Sequence, residues 1–341
     1  MAPSEALPTT AGLENLLADL AGTNAYVVPI TDERGVLLGN NGDTLMFEVF
    51  QRMLADLGMS TTTDRSAADV VVVPPSGALL ERFLFPRLLA ERLRGLENRP
   101  LVIFPSSLYF PTADPSWMFR GRTAETRLIL REPRSFEHLT DQWGEALAAE
   151  GVRLHLDHDV VASGHRYVPE IIGHHRQGDY TLVAARRDPE QSADRLSGVQ
   201  PAPRPNRARD ALAQAVPYGV VRTTLTRVAR RGVNAVATEA LLRSLPEGVL
   251  ESLAGGVAPS RRVAIDVSAT QFATFDEYKR AIGAAAAVVT NRLHVGLPAA
   301  ILGKPVVLVE AGYFKLRGVY EHSLRGLPNA TLVIPSAPAT N

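Results

Sequence analysis

The stretch Ala284-Ala-Ala-Ala-Val-Val-Thr-Asn-Arg-Leu-His-Val-Gly-Leu-Pro-Ala-Ala-Ile-Leu-Gly-Lys-Pro-Val-Val-Leu-Val-Glu310 decides the fold class. It reads as a short buried strand, a polar turn at Asn291, Arg292 and His294, a helix, and a second buried strand. Gly303 stands where a helix stop is wanted, and Lys304-Pro305 forbids continuation. A strand–turn–helix–strand unit sets its turn at the carboxyl edge of a parallel sheet, beside a helix N-terminus. Open α/β sheets bind ligands there, and the exposed backbone N–H groups favour anions. Arginine and histidine two positions apart at such a turn suit anion binding and proton handling. The same spacing also admits a plainer reading, with Arg292 covering a sheet edge and His294 a satisfied helix-start residue.

Composition narrows the function classes. The chain has 341 residues, more than a usual single domain, so two domains are expected. It carries 36 basic against 36 acidic residues, a balance that gives no electrostatic case for nucleic acid or an anionic membrane. Cysteine is absent, which excludes disulfides, zinc–thiolate sites and thiol nucleophiles together. Met1-Ala-Pro-Ser-Glu-Ala lacks the basic and apolar regions of a signal peptide. No window approaches the ~20 apolar residues that span a bilayer. The sequence therefore reads as a soluble cytoplasmic protein with no integral membrane segment, leaving peripheral membrane contact and oligomeric state open.

Outward from the central stretch, the α/β alternation continues in both directions. Residues 12–22 suit a short amphipathic helix, followed by a strand at Ala25-Tyr-Val-Val-Pro-Ile30. Gly39-Asn-Asn-Gly-Asp43 forms a tight loop into a helix with apolar positions Met46, Val49, Phe50, Met53 and Leu57, and Asp43 is placed to cap it. Val70-Val-Val-Val-Pro74, Leu101-Val-Ile-Phe-Pro105 and Arg127-Leu-Ile-Leu130 are short apolar runs, as parallel strands buried on both faces should be. Helices are expected near 79–94 and 134–150, with a strand near 152–156. The pattern restarts beyond about 165 with Asp179-Tyr-Thr-Leu-Val-Ala-Ala-Arg186. Residues 188–209 form a loop rich in Pro and Arg, helices are expected near 207–215, 219–231 and 238–254, and a strand at Arg262-Val-Ala-Ile-Asp266. Thr274-Phe-Asp-Glu277 is a capping box. The expected architecture is α/β, with two Rossmann-like domains at 1–165 and 166–335 facing a cleft, and a disordered tail at 336–341.

Several of these pieces occur in a familiar order: Gly39-Asn-Asn-Gly-Asp43, Pro105-Ser-Ser107, Arg131-Glu-Pro-Arg-Ser135, Arg186-Arg-Asp188, Asn291-Arg-Leu-His294, and Lys304-Pro305 followed by Tyr313-Phe-Lys315. Together they resemble the polysaccharide pyruvyl transferase family, which is similar to GT-B glycosyltransferases in having two Rossmann-like domains. The resemblance spans roughly residues 35–325 and thins between about 190 and 260. It implies transfer of an enolpyruvyl-derived group from phosphoenolpyruvate to a sugar of a polysaccharide or glycan precursor, closing a cyclic pyruvate ketal. The protein would then serve polysaccharide or exopolysaccharide biosynthesis. Phosphoenolpyruvate would be a co-substrate, and no cofactor or metal is implied. The acceptor would be a sugar, lipid-linked or polymeric. The N-terminal half would face the acceptor and the C-terminal half the donor.

That chemistry can be set against the residues. Phosphoenolpyruvate carries a carboxylate and a phosphate, so its site needs fixed cations, and the planar arginine fork binds either group bidentately. Ketal formation needs a proton on the methylene carbon, and a histidine can supply it near neutral pH. His294 is assigned that role, with Arg292 and Arg186 as the other catalytic candidates. Asn291, Leu293 and Lys315 complete the donor site, Arg186 reaching it from the opposing domain and Lys315 from the loop after the next strand. Gly42, Asp43, Ser107, Arg131 and Asp159 belong to the acceptor side or the loops beside it. Each has a competitor: a surface ion pair for Arg186, helix capping for Arg131 and Asp43, simple solvation for Lys315.

Other signals carry less. His155-Leu-Asp-His-Asp159 offers metal-ligand types on one strand face but has no distant partner at zincin spacing; Asp157 or Asp159 facing the acceptor is the better reading. Gly296 to Lys304 lacks the glycine spacing of a phosphate loop, and neither a dinucleotide fingerprint nor a nucleophile elbow is present. Two rival functions remain: a GT-B glycosyltransferase using a nucleotide-sugar donor, and a non-catalytic glycan-binding relative.

Overall fold

The computed structural model describes residues 7–30, 39–176, 178–186, 238–243, 245–246, 248–249, 261–270, 272–310 and 314–335. The expected loop at 188–209, the helices near 207–215 and 219–231, part of the one at 238–254 and the tail at 336–341 lie outside them, as do Arg187, Asp188 and Tyr313.

Two wholly parallel sheets dominate. The first is six-stranded, in the order β2-β1-β3-β5-β7-β8, with β1 Asn24–Val27, β2 Ser60–Thr62, β3 Val70–Val73, β5 Leu101–Ser106, β7 Thr126–Leu130 and β8 Val152–Leu156. The second is five-stranded, β10-β9-β11-β12-β13, with β9 Tyr180–Ala184, β10 Arg261–Ala264, β11 Ala287–Thr290, β12 Val306–Val309 and β13 Ala330–Val333. The buried runs of sequence are the inner strands: Val70–Val73, Ala287–Thr290 and Val306–Val309 are buried throughout. That is the pattern of strands covered on both faces.

In each sheet the order of strand addition reverses about the first strand. β1 lies between β2 and β3, and β9 lies between β10 and β11. The crevices of these switch points open at the carboxyl ends of β1 and β3 in one sheet and of β9 and β11 in the other, the places where α/β sheets take ligands.

Helices pack between the sheets. They are α1 Ala11–Leu17, α2 Asn41–Asp56, α5 Val160–Ser163, α6 Val168–Ile172, α7 Phe275–Ala284 and α8 Leu293–Ile301; α3 Phe85–Leu93, α4 Pro133–Ala149 and α9 Phe314–Val319 complete the set used below. One buried cluster runs from Val70, Val72, Met46 and Phe50 through Val161 and Ile172 to Tyr278, Val295, Leu297 and Leu308. Both sheets thus share an apolar core through α2, α5, α7 and α8.

The segment expected as a helix from 79 to 94 divides. Leu79–Leu80 (β4) pairs in parallel with Leu108–Tyr109 (β6), and the helix starts at Phe85. Pro86 in its first turn fixes that start, because proline fits where no intrahelical N–H is needed. Among the described residues, no helix is long and apolar enough to cross a membrane.

Candidate functional site

The turn after β11 is held from three sides. The Thr290 hydroxyl donates to the Ala184 carbonyl at 2.7 Å and accepts from the Arg292 N–H at 2.9 Å. The Asn291 side-chain oxygen accepts from the Arg186 N–H at 2.6 Å. Arg186 therefore does not come from the opposing half of the chain. Thr290 pairs with Ala184 in adjacent strands, so Arg186 and Asn291 sit side by side at the switch point of the second sheet. Parallel pairing of segments so far apart in sequence leaves no local signature.

Arg292 is 8% exposed and its fork is already engaged: Nε and an outer nitrogen donate to the two Asp266 oxygens at 3.1 and 2.6 Å. Asp266, itself buried, follows β10 on the far side of β9. Its place in the sequence, just past the carboxyl end of a strand, is a usable signal for such a residue.

His294 stands in the first turn of α8 with φ −82° and ψ 22°, off the helical values and near the sparsely allowed bridge region that active-site residues often occupy. Its carbonyl accepts from the fully buried Tyr278 hydroxyl. Its Nε2 lies 3.1 Å from one Asp159 oxygen and 3.3 Å from the other. Asp159 is fully buried, caps α5 through the Val161 N–H at 3.0 Å, and pairs also with the Arg131 guanidinium at 2.9 Å. Burial alone would raise its pKa, but His294, Arg131 and the Val161 N–H together hold it well below the usual carboxylate range.

Arg131 does not cap α4. Glu132 does, accepting from the Ser135 N–H at 2.8 Å, which leaves the Arg131 guanidinium to donate to the Ser107 hydroxyl at 2.8 Å and to Asp159. Burial raises the Glu132 pKa, offset in part by Ser135. Asp43 acts in a capping box in which the N-cap is Asn40: its carboxylate accepts from the Asn40 N–H at 2.8 Å while the Asn40 side chain accepts from Gly42 N–H. Gly42 is needed for close approach, since a Cβ built on it would lie 2.7 Å from the Cβ of His294. The neighbouring Asn41 side chain donates to the carbonyls of Val267 and Ala273 at 2.8 and 2.9 Å, and its N–H donates to the Ser268 carbonyl. The loop that opens α2 is thereby bonded to the segment between β10 and α7.

Lys315 is buried in the first turn of α9 and donates to the Gly77 carbonyl, so it is neither in a loop nor solvated. Burial, followed by the nearby guanidiniums of Arg131, Arg186 and Arg82, pushes its pKa well below the ordinary lysine value. These residues line one cavity of about 140 Å³, with Arg131, Arg186, Arg292, Lys315, His294 and Asp43 on its walls. Two of the acids nearby pair with residues of these walls, Asp159 with Arg131 and His294 and Asp266 with Arg292, while Asp43 accepts from a backbone N–H. An anion entering this cavity would meet three guanidiniums and would favour the charged form of Lys315.

The residues of His155-Leu-Asp-His-Asp159 part company. His155, Asp157 and His158 line a separate cavity with His322, whose ring stacks on His158 at 4.1 Å, and only Asp159 turns toward the cation-lined site. Asp157 and Asp159 lie beyond the end of β8, so strand alternation does not place them on one face. Among the described residues, no group of three or more metal-ligating side chains is arranged to hold an ion.

Residues 259–312 match the polysaccharide pyruvyl transferase family. The matched segment carries Asp266, Asn291, Arg292, Leu293 and His294; Arg131, Asp159, Arg186 and Lys315 lie outside it. The family is a transferase family by its description. A search of curated proteins gives no match. The fold is similar to that of a functionally uncharacterized protein from Klebsiella pneumoniae subsp. pneumoniae NTUH-K2044, with a TM-score of 0.56 at 14% identity, covering 96% of this chain and 99% of that one.

Proposed function

We propose that this protein is a ketal pyruvyltransferase, using phosphoenolpyruvate to pyruvylate a sugar of a polysaccharide or its precursor. The observation that supports this most is the meeting of Arg131, Arg186, Arg292 and Lys315 around the His294–Asp159 pair in one cavity. Phosphoenolpyruvate brings two anionic groups, which suit several fixed cations. In this reading the chain has two Rossmann-like domains in a GT-B-like arrangement, 1–165 on the acceptor side and 166–335 on the donor side. The protein works in the cytoplasm without a cofactor.

In the proposed reaction, His294 protonates the methylene carbon of phosphoenolpyruvate and positive character develops at C2. One sugar hydroxyl adds there and gives up its proton. Phosphate then leaves, and a second hydroxyl of the same sugar closes the ring. The products are a cyclic ketal and inorganic phosphate. Asp159 steadies the charged imidazole and fixes its orientation, as a buried carboxylate does for a catalytic histidine. With Nε2 directed at Asp159, Nδ1 is the nitrogen left to serve the reactant. Arg186, Lys315 and Arg292 grip the donor.

The test is incubation with phosphoenolpyruvate and a panel of glycosides, following phosphate release and product mass. The expected product is heavier than the acceptor by one pyruvate less one water. Release of a nucleotide from a sugar nucleotide, with no phosphate from phosphoenolpyruvate, would establish a glycosyltransferase instead.

A further inference from the structure

A second and larger recess adjoins the cation-lined cavity. It encloses about 610 Å³ against about 140 Å³, and Phe83 lines both. It lies between α3 and the short helical turn Pro115–Phe119, with Trp117 on one wall and Phe110 buried beside it. Its frame is fixed by local bonds. Glu81 accepts from the Thr112 N–H at 2.9 Å, Asp114 accepts from the Ser116 N–H at 2.8 Å, and Arg122 donates to the Thr126 hydroxyl at 2.8 Å. Around this frame stand exposed side chains of both signs, Arg87, Glu91, Arg94 and Arg120.

The lining selects among ligand classes. Partly exposed aromatic rings offer flat apolar faces, which suit the C–H face of a pyranose ring. Guanidiniums only donate and carboxylates only accept, so a rim holding both matches hydroxyls, which do either. A polyanion would instead call for one sign of charge. We infer that this groove binds a glycan chain and holds the acceptor sugars beyond the one that is pyruvylated. The assignment rests on the proposed acceptor role of this half of the chain, and Phe83 marks the passage from groove to reacting centre.

The experiment reads binding apart from turnover. The full chain is titrated with neutral gluco-, galacto- and manno-oligosaccharides and an array of bacterial polysaccharide fragments, each from one sugar to about six. Affinity is expected to rise with chain length, on the order of tenfold from mono- to trisaccharide, as stacking and paired hydrogen bonds accumulate. Trp117→Ala should abolish that gain, Trp117→Phe should restore it, and Arg87→Ala at the exposed rim should weaken it. His294→Gln should bind the same chains unchanged. Failure of the wild type to retain any glycan, or affinities within about twofold of wild type in both Trp117→Ala and Arg87→Ala, would overturn the inference. Phosphoenolpyruvate stabilisation, measured in parallel, separates the two assignments. Length-dependent glycan binding without it sinks the donor reading and leaves the groove standing; the reverse sinks the groove alone.

Discussion

Asp159 and His294 meet at 3.1 Å although 135 positions separate them, and the contact joins the end of the first sheet to the turn of the second. The carboxylate serves Arg131 at the same time, so one buried acid orders a histidine and an arginine from different elements.

The two members of this pair should fail differently. His294→Gln is expected to lower turnover by roughly 10²–10⁴-fold while leaving phosphoenolpyruvate affinity nearly intact. Asp159→Asn should lower turnover too, and also stability by on the order of 3 kcal/mol, because Arg131 stays buried without its counter-charge. The folded Asp159 ionises below its ordinary value of 3.8, so its stabilising charge is complete above that pH and is lost only as pH falls below it. Steady-state kinetics with urea unfolding at neutral and acid pH will decide. Full activity in His294→Gln would remove the acid–base role.

Arg292→Lys should cost more than donor binding. The substitution keeps a charge but loses the fork that holds both Asp266 oxygens, so the melting temperature should fall along with donor affinity, the latter by about 1–3 kcal/mol. Asp266→Asn separates the effects: it should lower the melting temperature with a smaller change in affinity. Equal affinity losses in both variants would mean that Arg292 acts only through its ion pair.

Lys315→Met is expected to stabilise the free protein while weakening donor binding. Burial and three guanidiniums lower the folded pKa of this lysine, so holding its charge opposes folding at neutral pH. That penalty fades as pH rises toward the ordinary 10.5. Removing the amine should raise the melting temperature by about 2 °C at pH 7, the gain shrinking at alkaline pH and reduced by loss of the bond to the Gly77 carbonyl. Phosphoenolpyruvate, which adds ~2.7 kcal/mol at 100 times its dissociation constant, should shift the wild type more than the variant. A variant less stable than wild type at pH 7 would contradict this.

A separate acid-sensitive element lies at the His158–His322 stack. Burial, then the neighbouring His322, lowers the His158 pKa from 6.5 to about 4, with Asp159 pulling the other way. The imidazole is thus neutral in the fold and charged in the unfolded chain below 6.5, and stability is lost as pH falls from there toward 4. The loss should reach at most about 3 kcal/mol. His158→Phe keeps a ring on His322 and should flatten that part of the profile; urea midpoints from pH 7 to 4.5 provide the reading. An unchanged slope would assign the acid lability elsewhere.

What the sequence disclosed was local. The strand–turn–helix unit around Asn291–His294, the Thr274 capping box and the stop at Gly303, where φ is +76°, rest on near-neighbour rules and recur in the structure. Asp43 fell one step short: the capping box is there, but Asn40 is the cap. Pairings across the fold had no such signature. Nothing adjacent to Asp159 names His294 or Arg131, nothing adjacent to Arg292 names Asp266, and Lys315 looks solvated until α9 packs it beneath Gly77. The division of 79–94 into β4 and α3 was lost for the same reason, since β4 exists only through its pairing with β6.

Gly42 turns these contacts into a rule for reading relatives. The space that a methyl group would need at position 42 is filled by the Cβ of His294, and the Asn40 oxygen lies 2.9 Å away on another side. The two positions therefore constrain each other, although they are 252 positions apart in the chain. A homologue that has drifted to a larger residue at 42 must have shifted the start of α2 or of α8, because every residue but glycine at 294 keeps that Cβ. Glycine at this one site reports how closely the starts of α2 and α8 approach, whichever side chain position 294 carries.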